Sequence, residues 1–250
     1  MQVQLIRHAT MRVLMGGHTL LVDPMLSAKE EMDPVQNASN TRRIPLVDLP
    51  FSADEILKDV DAVLVTHTHR DHWDDAATRS VPKALPIICQ PEDETKFHQW
   101  GYTDVRPVNT TLAFNGLQIS RTGGQHGTGD LARQMGPVSG YVLTAENEPS
   151  LYIAGDTIYG PDVEHALAQH NPQVAVVNAG AAQFIMGDPI TMDASDVAKV
   201  CRRAPNAQIV AVHMEAINHC LLKRAHLEAS LDRDGLKGRV LVPKDGEMVL

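Results

Sequence analysis

Apolar and polar positions alternate through the first 22 residues. VQLIRH, MRVLM and TLLVD read as strands, with Gly16-Gly17 as the hairpin turn between the last two. The pattern then breaks. From Ser27 to Pro50 (SAKEEMDPVQNASNTRRIPLVDLP) there is no periodicity, and so long an irregular segment in a compact domain suits a functional rim or lid better than a linker. Ser52-Ala53-Asp54-Glu55 is a capping-box signature that opens a short helix through Lys58. DAVLVT, residues 61–66, is an unbroken apolar run and reads as a buried strand. Pro91 to Trp100 predicts a helix, with acidic residues in its first turn and Gly101 after its end.

LQISRT, GYVLTA and SLYIAG supply strands in the middle of the chain, and strands then alternate with helices. Helices are expected over Asp162–Gln169, Asp193–Arg203 and Arg224–Asp234, with the strands VAVVN (174–178) and QIVAV (208–212) between them. RVLVPKDGEMVL reads as two strands around Asp245-Gly246. Early hairpins followed by alternation favour an α/β or α+β chain with a mixed sheet or two packed sheets.

Composition narrows the class without changing this outline. At 250 residues, 43% hydrophobic and 21% charged, the chain is ordinary globular material, enough for one large domain or two small ones. A net charge of −9 argues against nucleic acid or an anionic membrane as the main partner, which leaves a small-molecule substrate. Cys89, Cys201 and Cys220 have no CxxC spacing, so neither a disulfide framework nor a thiolate metal site is expected. The start resembles no signal peptide and no apolar run is long enough to span a bilayer, which makes a cytoplasmic location the expectation. A symmetric homo-oligomer is expected only on general grounds.

The candidate chemistry lies directly after DAVLV, in THTHRDHWDD. Three histidines and a carboxylate occupy the six positions from His67 to His72. Bare imidazoles so crowded would accumulate charge near neutral pH, whereas neutral imidazoles and carboxylates bind divalent cations well. His67 and His69, two apart in extended chain, project to one side and can share a metal. Asp71 and His72 can converge on a second only if the chain bends there. His126, Asp156 and His213 each end an apolar strand, so each can reach a rim where strands terminate.

His67-Thr-His69-Arg-Asp71-His72 resembles the HxHxDH signature of the metallo-β-lactamase superfamily. The resemblance continues through Asp23-Pro24, His126, Gly155-Asp156-Thr157 and His213. It implies a four-layer αββα sandwich spanning residues 1–250 as a single domain, with the 27–50 segment as a rim or lid. It also implies one metal on His67, His69 and His126, another on Asp71, His72 and His213, and Asp156 bridging them. Arg7-His8-Ala9-Thr10 is closest to the opening of a branch similar to ascorbate-6-phosphate lactonase.

The expected activity is metal-dependent hydrolysis of a small ester, lactone or phosphodiester, anionic or neutral, by a hydroxide on two divalent ions, zinc or manganese. Asp71 is the candidate to orient that hydroxide and shuttle its proton. Asp23 either accepts a ligand histidine's free N–H or serves as a turn residue before Pro24. His8, Glu215, Asn218 and His219 are candidates for the substrate pocket, His8 having a structural role as its alternative. Arg42 and Arg43 either reach a substrate anion or stand as a solvated pair. The competing functions are an iron-dependent oxidoreductase or dioxygenase on the same fold and a non-catalytic metal-binding module.

Overall fold

The unbroken apolar runs are buried on both faces, and this dictates the layering. In a computed structural model describing residues 1–250, the strands form two sheets. The first runs β1 (Gln2–Arg7), β2 (Thr10–Met15), β3 (His18–Val22), β4 (Ala62–Val65), β5 (Ile87–Cys89) and β6 (Val105–Pro107). The second runs β13 (Val240–Leu241), β12 (Gln208–Val212), β11 (Val174–Asn178), β10 (Leu151–Ile153), β9 (Gly140–Thr144), β8 (Leu117–Thr122) and β7 (Thr111–Phe114).

Successive side chains go to opposite faces. Ala62 and Leu64 of β4 meet Val174, Val176, Val210 and Val212 in the core between the sheets. Val63 and Val65 turn outward, onto Ile56 of α1 (Ala53–Leu57), Ala77 of α2 (Asp75–Ser80) and Phe97 of α3 (Glu94–Gln99). On the far side, Ala175, Val177, Ile209 and Ala211 pack on α5 (Pro161–His170), α6 (Ala194–Arg203) and α7 (Arg224–Arg233) through Leu167, Val200 and Leu227. The layers are therefore αββα, as the resemblance implies. No helix is long and apolar enough to cross a membrane.

Several elements differ from their expected form. Pro91–Trp100 is a 3-10 turn at Pro91–Asp93 running into α3. At the C-terminus only Val240–Leu241 pairs as a strand. The second expected strand follows β1 but makes only the bridge Gln4–Met248, because the Gly246 amide is shared between the Leu5 and Ile6 carbonyls and breaks the ladder. Three strands and two helices, β5, β6, β7, α2 and α4 (Gly129–Met135), gave no periodic signal. They are short, and α4 buries no residue, so it carries no apolar stripe.

Residues 27–50 contain no helix or strand but are tied down at several points. The fully buried Arg7 guanidinium donates to the carbonyls of Met25, Ser27 and Val47. Burial lowers its pKa to about 10, which leaves it charged at neutral pH. The Leu46 amide donates to Ala216, and the amide group of Asn218 bonds Val35 and Asn40.

Topology places the candidate residues together. β10, β11 and β12 are parallel, and β8 shares their direction because both β8 and β10 run antiparallel to β9. In the first sheet β3 and β4 are parallel. The strands that lead into the candidate residues end on a common edge of the sandwich.

Candidate metal centre

Beyond β4 the chain passes through His67 and His69 and folds back. The amides of His72 and Trp73 both donate to the His69 carbonyl at 2.8 Å, and this turn brings Asp71 and His72 to the same centre as His67. α2 follows, capped by Asp74, whose carboxylate accepts from the Ala77 and Ser27 amides. From β10 the chain reaches Asp156 through Gly155, at φ 68°, where an added Cβ would lie 2.6 Å from the Ser139 carbonyl oxygen. Only glycine makes that turn without strain. β8 leads to His126 and β12 to His213.

The donors fall into overlapping groups, each able to hold a cation: His67, His69 and His126; His8, Asp71, His72 and His213; and His67, His72 and Asp156. Asp156 lies between the first two. Its Oδ2 is 3.3 Å from His72 Nε2, 3.5 Å from His126 Nε2 and 3.9 Å from His67 Nε2, while Oδ1 is 3.2 Å from His213 Nε2. Asp71 Oδ2 is 3.4 Å from His213 Nε2 and 3.2 Å from His8 Nε2.

The outward ring nitrogens decide what this cluster can be. His72 Nδ1 donates to Asp23 Oδ2 at 2.7 Å, His126 Nδ1 to the Ile190 carbonyl at 2.8 Å, and His69 Nε2 to the Met135 carbonyl at 3.0 Å. The Thr66 hydroxyl gives its one proton to Asp23, so it accepts from His67 Nδ1, 3.1 Å away. These acceptors place a proton on each outer nitrogen, and on His67, His69 and His126 they leave the inner one a bare lone pair. Bare pairs then face each other: His67 Nε2 is 3.0 Å from His69 Nδ1. No proton is available to bridge them. A cation relieves the repulsion, and imidazoles held this way are the usual pattern around a bound metal.

The electrostatics call for positive charge at the same centre, supplied at His72 by a proton or by a cation that replaces it. Burial opposes a charge on His72, yet the carboxylates of Asp156, Asp23 and Asp71 outweigh it and hold its pKa well above the usual value. Burial likewise opposes ionisation of Asp71 and Asp156, but the facing histidines hold both carboxyls well below the usual range. His67 is pushed well below its usual value by burial and by its neighbours His72 and His69, which keeps it neutral.

The remaining sequence candidates separate. Asp23 is buried against His72 and Thr66, as a partner of a donor rather than a simple turn residue. His8 does not line the pocket. It is fully buried behind Asp71 at φ 63°, its ring centroid 3.6 Å from that of His213, and burial lowers its pKa to about 3. Its Nε2–H therefore donates to Asp71 and fixes that carboxylate. Glu215 is also absent from the pocket, since Arg224 binds its carboxylate and ties it to the start of α7. Asn218 supports the wall indirectly, by holding Val35. Arg43 is used within its own segment, donating to the Glu30 and Glu31 carbonyls and pairing with Asp33. Only His219 of the four pocket candidates lines the cavity above the cluster, with Nδ1 unpartnered.

Thr66 and Asn178 are functional neighbours that the sequence reading missed. Asn178 donates to Asp156 Oδ1 at 2.7 Å. It ends VAVVN as the other candidates end their strands, so the same rule would have found it. Asp23→Asn removes the charge that holds His72 and Thr66. It is expected to weaken metal affinity about 10–100-fold, read by titration against a competing chelator. Unchanged affinity would show that Asp23 is only a turn residue.

A cavity of about 200 Å³ opens over the donors, lined among others by Val35, Met135, Phe184 and His219. Two stacked sheets with outer helices, and a histidine–aspartate centre on their common edge, define a metallo-β-lactamase-fold protein. The model of the Beta-lactamase superfamily domain matches residues 18–214. The UPF0173 protein YddR of Bacillus subtilis (strain 168) is 38% identical over 250 residues, covering 99% of this chain and 98% of that one. The crystal structure of a possible metal-dependent hydrolase from Veillonella parvula is 38% identical, with a TM-score of 0.96 over 99% of this chain and 98% of that one. That of isothiocyanate hydrolase from Delia radicum gut bacteria is 37% identical, with a TM-score of 0.96 over 100% and 99%. The chain belongs to the UPF0173 metal-dependent hydrolase family of the β-lactamase superfamily.

Proposed function

We propose that the centre holds two divalent cations and hydrolyses a small neutral electrophile: an isothiocyanate, an ester or a lactone. One cation rests on His67, His69 and His126, the other on Asp71, His72 and His213, with Asp156 shared. The observation that carries this reading is the set of imidazoles whose inner nitrogens face one centre, each ring held by a partner on its outer side. The imidazole-rich set favours zinc, and the carboxylates accept manganese.

Divalent cations supply Lewis acidity and lower the pKa of water from 15.7 toward about 7. The protein's own groups do the rest. The Asp71 carboxylate, kept ionised and steadied by His8, takes the proton of the attacking water and passes it to the leaving atom. His219 lines the cavity with a ring that burial keeps neutral, its pKa lowered to about 4, and it is free to hydrogen-bond the substrate. Arg70 is the one Lys or Arg lining the cavity, and Arg43 is committed elsewhere, which favours a neutral substrate over a phosphodiester. The similar isothiocyanate hydrolase makes that substrate the first to try, and the Arg7-His8-Ala9-Thr10 opening keeps lactones in the panel.

The purified protein is expected to bind about two divalent metals per chain, lose activity on exhaustive chelation and recover it with zinc or manganese. Saturation at one metal would remove the two-cation reading. A panel of isothiocyanates, esters, lactones and phosphodiesters tests the substrate class, and turnover confined to phosphodiesters would overturn it.

A further inference from the structure

We infer that the apolar mouth beside the metal centre seats the hydrocarbon tail of the substrate, so that the enzyme selects electrophiles carrying an extended alkyl chain. This deepens the hydrolase reading and rests on it for the reaction served.

Large apolar side chains stand in solvent here to an unusual degree. Ile185 is 68% and Met186 81% exposed, against 53% or less for every other exposed large apolar residue. Adjacent exposed apolar residues mark a surface that something covers. Their position says what. With Leu131, Met135 and Phe184 they line a cavity of about 570 Å³, within the range of small-molecule sites. Met135 and Phe184 also line the 200 Å³ cavity over the donors, so the two spaces adjoin across these side chains.

The connection is built into the backbone. The Met135 carbonyl accepts from His69, so the residue that orients a donor imidazole also carries a wall of the mouth. The Ile185 amide donates to Asn37 and the Gln183 amide to His219, which fixes the opposite wall to the irregular segment and to the inner cavity. No Lys, Arg, Asp or Glu lines the mouth. A charged tail would lose its hydration there without compensation, whereas a hydrocarbon gains. Methionine on both walls lets the mouth fit tails of different shape.

The test uses the metal-loaded protein and straight-chain isothiocyanates and esters from methyl to hexyl. kcat/KM is expected to rise about twofold to fourfold per methylene, chiefly through KM, the upper figure being full burial. The double variant Ile185→Ser, Met186→Ser should flatten that dependence, whereas Leu221→Ser, at an exposed apolar residue elsewhere, should leave it intact. Calorimetry with acetate through octanoate gives a second reading that needs no turnover, with the same trend and the same flattening. Affinity and kcat/KM that ignore chain length in the wild-type protein would overturn the mouth and leave the hydrolase reading standing. Length-dependent binding without turnover of any panel substrate would sink the hydrolase reading and leave the mouth. A double variant that turns a dimer into a monomer in sedimentation, with the length dependence unchanged, would make this surface a contact between copies and overturn the inference.

Discussion

His67→Ala is expected to lose bound metal and nearly all turnover, while His226→Ala changes neither. The contrast rests on position alone, since both replace one imidazole by a methyl group. His67 belongs to two of the three donor groups and is buried, whereas His226 is exposed on α7. Losing His67 leaves His69 and His126 as an incomplete set and takes one donor from the group formed with His72 and Asp156. Metal analysis alongside kcat/KM reads the outcome. Equal effects from the two substitutions would undo the donor assignment.

Asp71→Asn should keep the fold and bind metal somewhat more weakly, yet lose turnover by about 10²-fold or more, the scale of a positioned acid–base group. Asparagine preserves the shape of the side chain and one oxygen that His8 can still donate to. It removes the charge and the ability to take a proton from water. The measurement belongs at saturating metal, so that weakened binding is not mistaken for lost chemistry. Turnover close to wild type would show that some other group moves the proton.

The sandwich was readable because its strands are long apolar runs, and the candidate donors because each follows such a run. DAVLVT, VAVVN and QIVAV have no polar alternation, and each is covered on both faces. What escaped was either too short for a period, such as β5 and β6, or lacked a buried face, such as α4. The acceptors that orient the imidazoles escaped for a different reason. The carbonyls of Met135 and Ile190 are peptide oxygens, and no side-chain identity betrays them. Of the pocket candidates His8 takes its structural alternative and Glu215 lies outside the pocket, because nearness in sequence to a strand end or a donor does not say which way a side chain turns. His8 takes a left-handed backbone and lies behind Asp71, and Glu215, two residues past His213, swings away to Arg224.

The strands of the first sheet end at Pro107 and those of the second begin at Thr111, so the two sheets come from two consecutive parts of the polypeptide, with only the C-terminal segment returning to β1. Asp23, His67, His69, Asp71 and His72 belong to the earlier half; His126, Asp156 and His213 belong to the later one. A ribosome that has released only the first half has produced a histidine cluster with the makings of a chelator and nothing of the hydrolytic arrangement. His72 meets His213 across 141 positions of chain, so the centre exists only where the two halves are packed together. A proteolytic fragment confined to either half holds only part of the donor set.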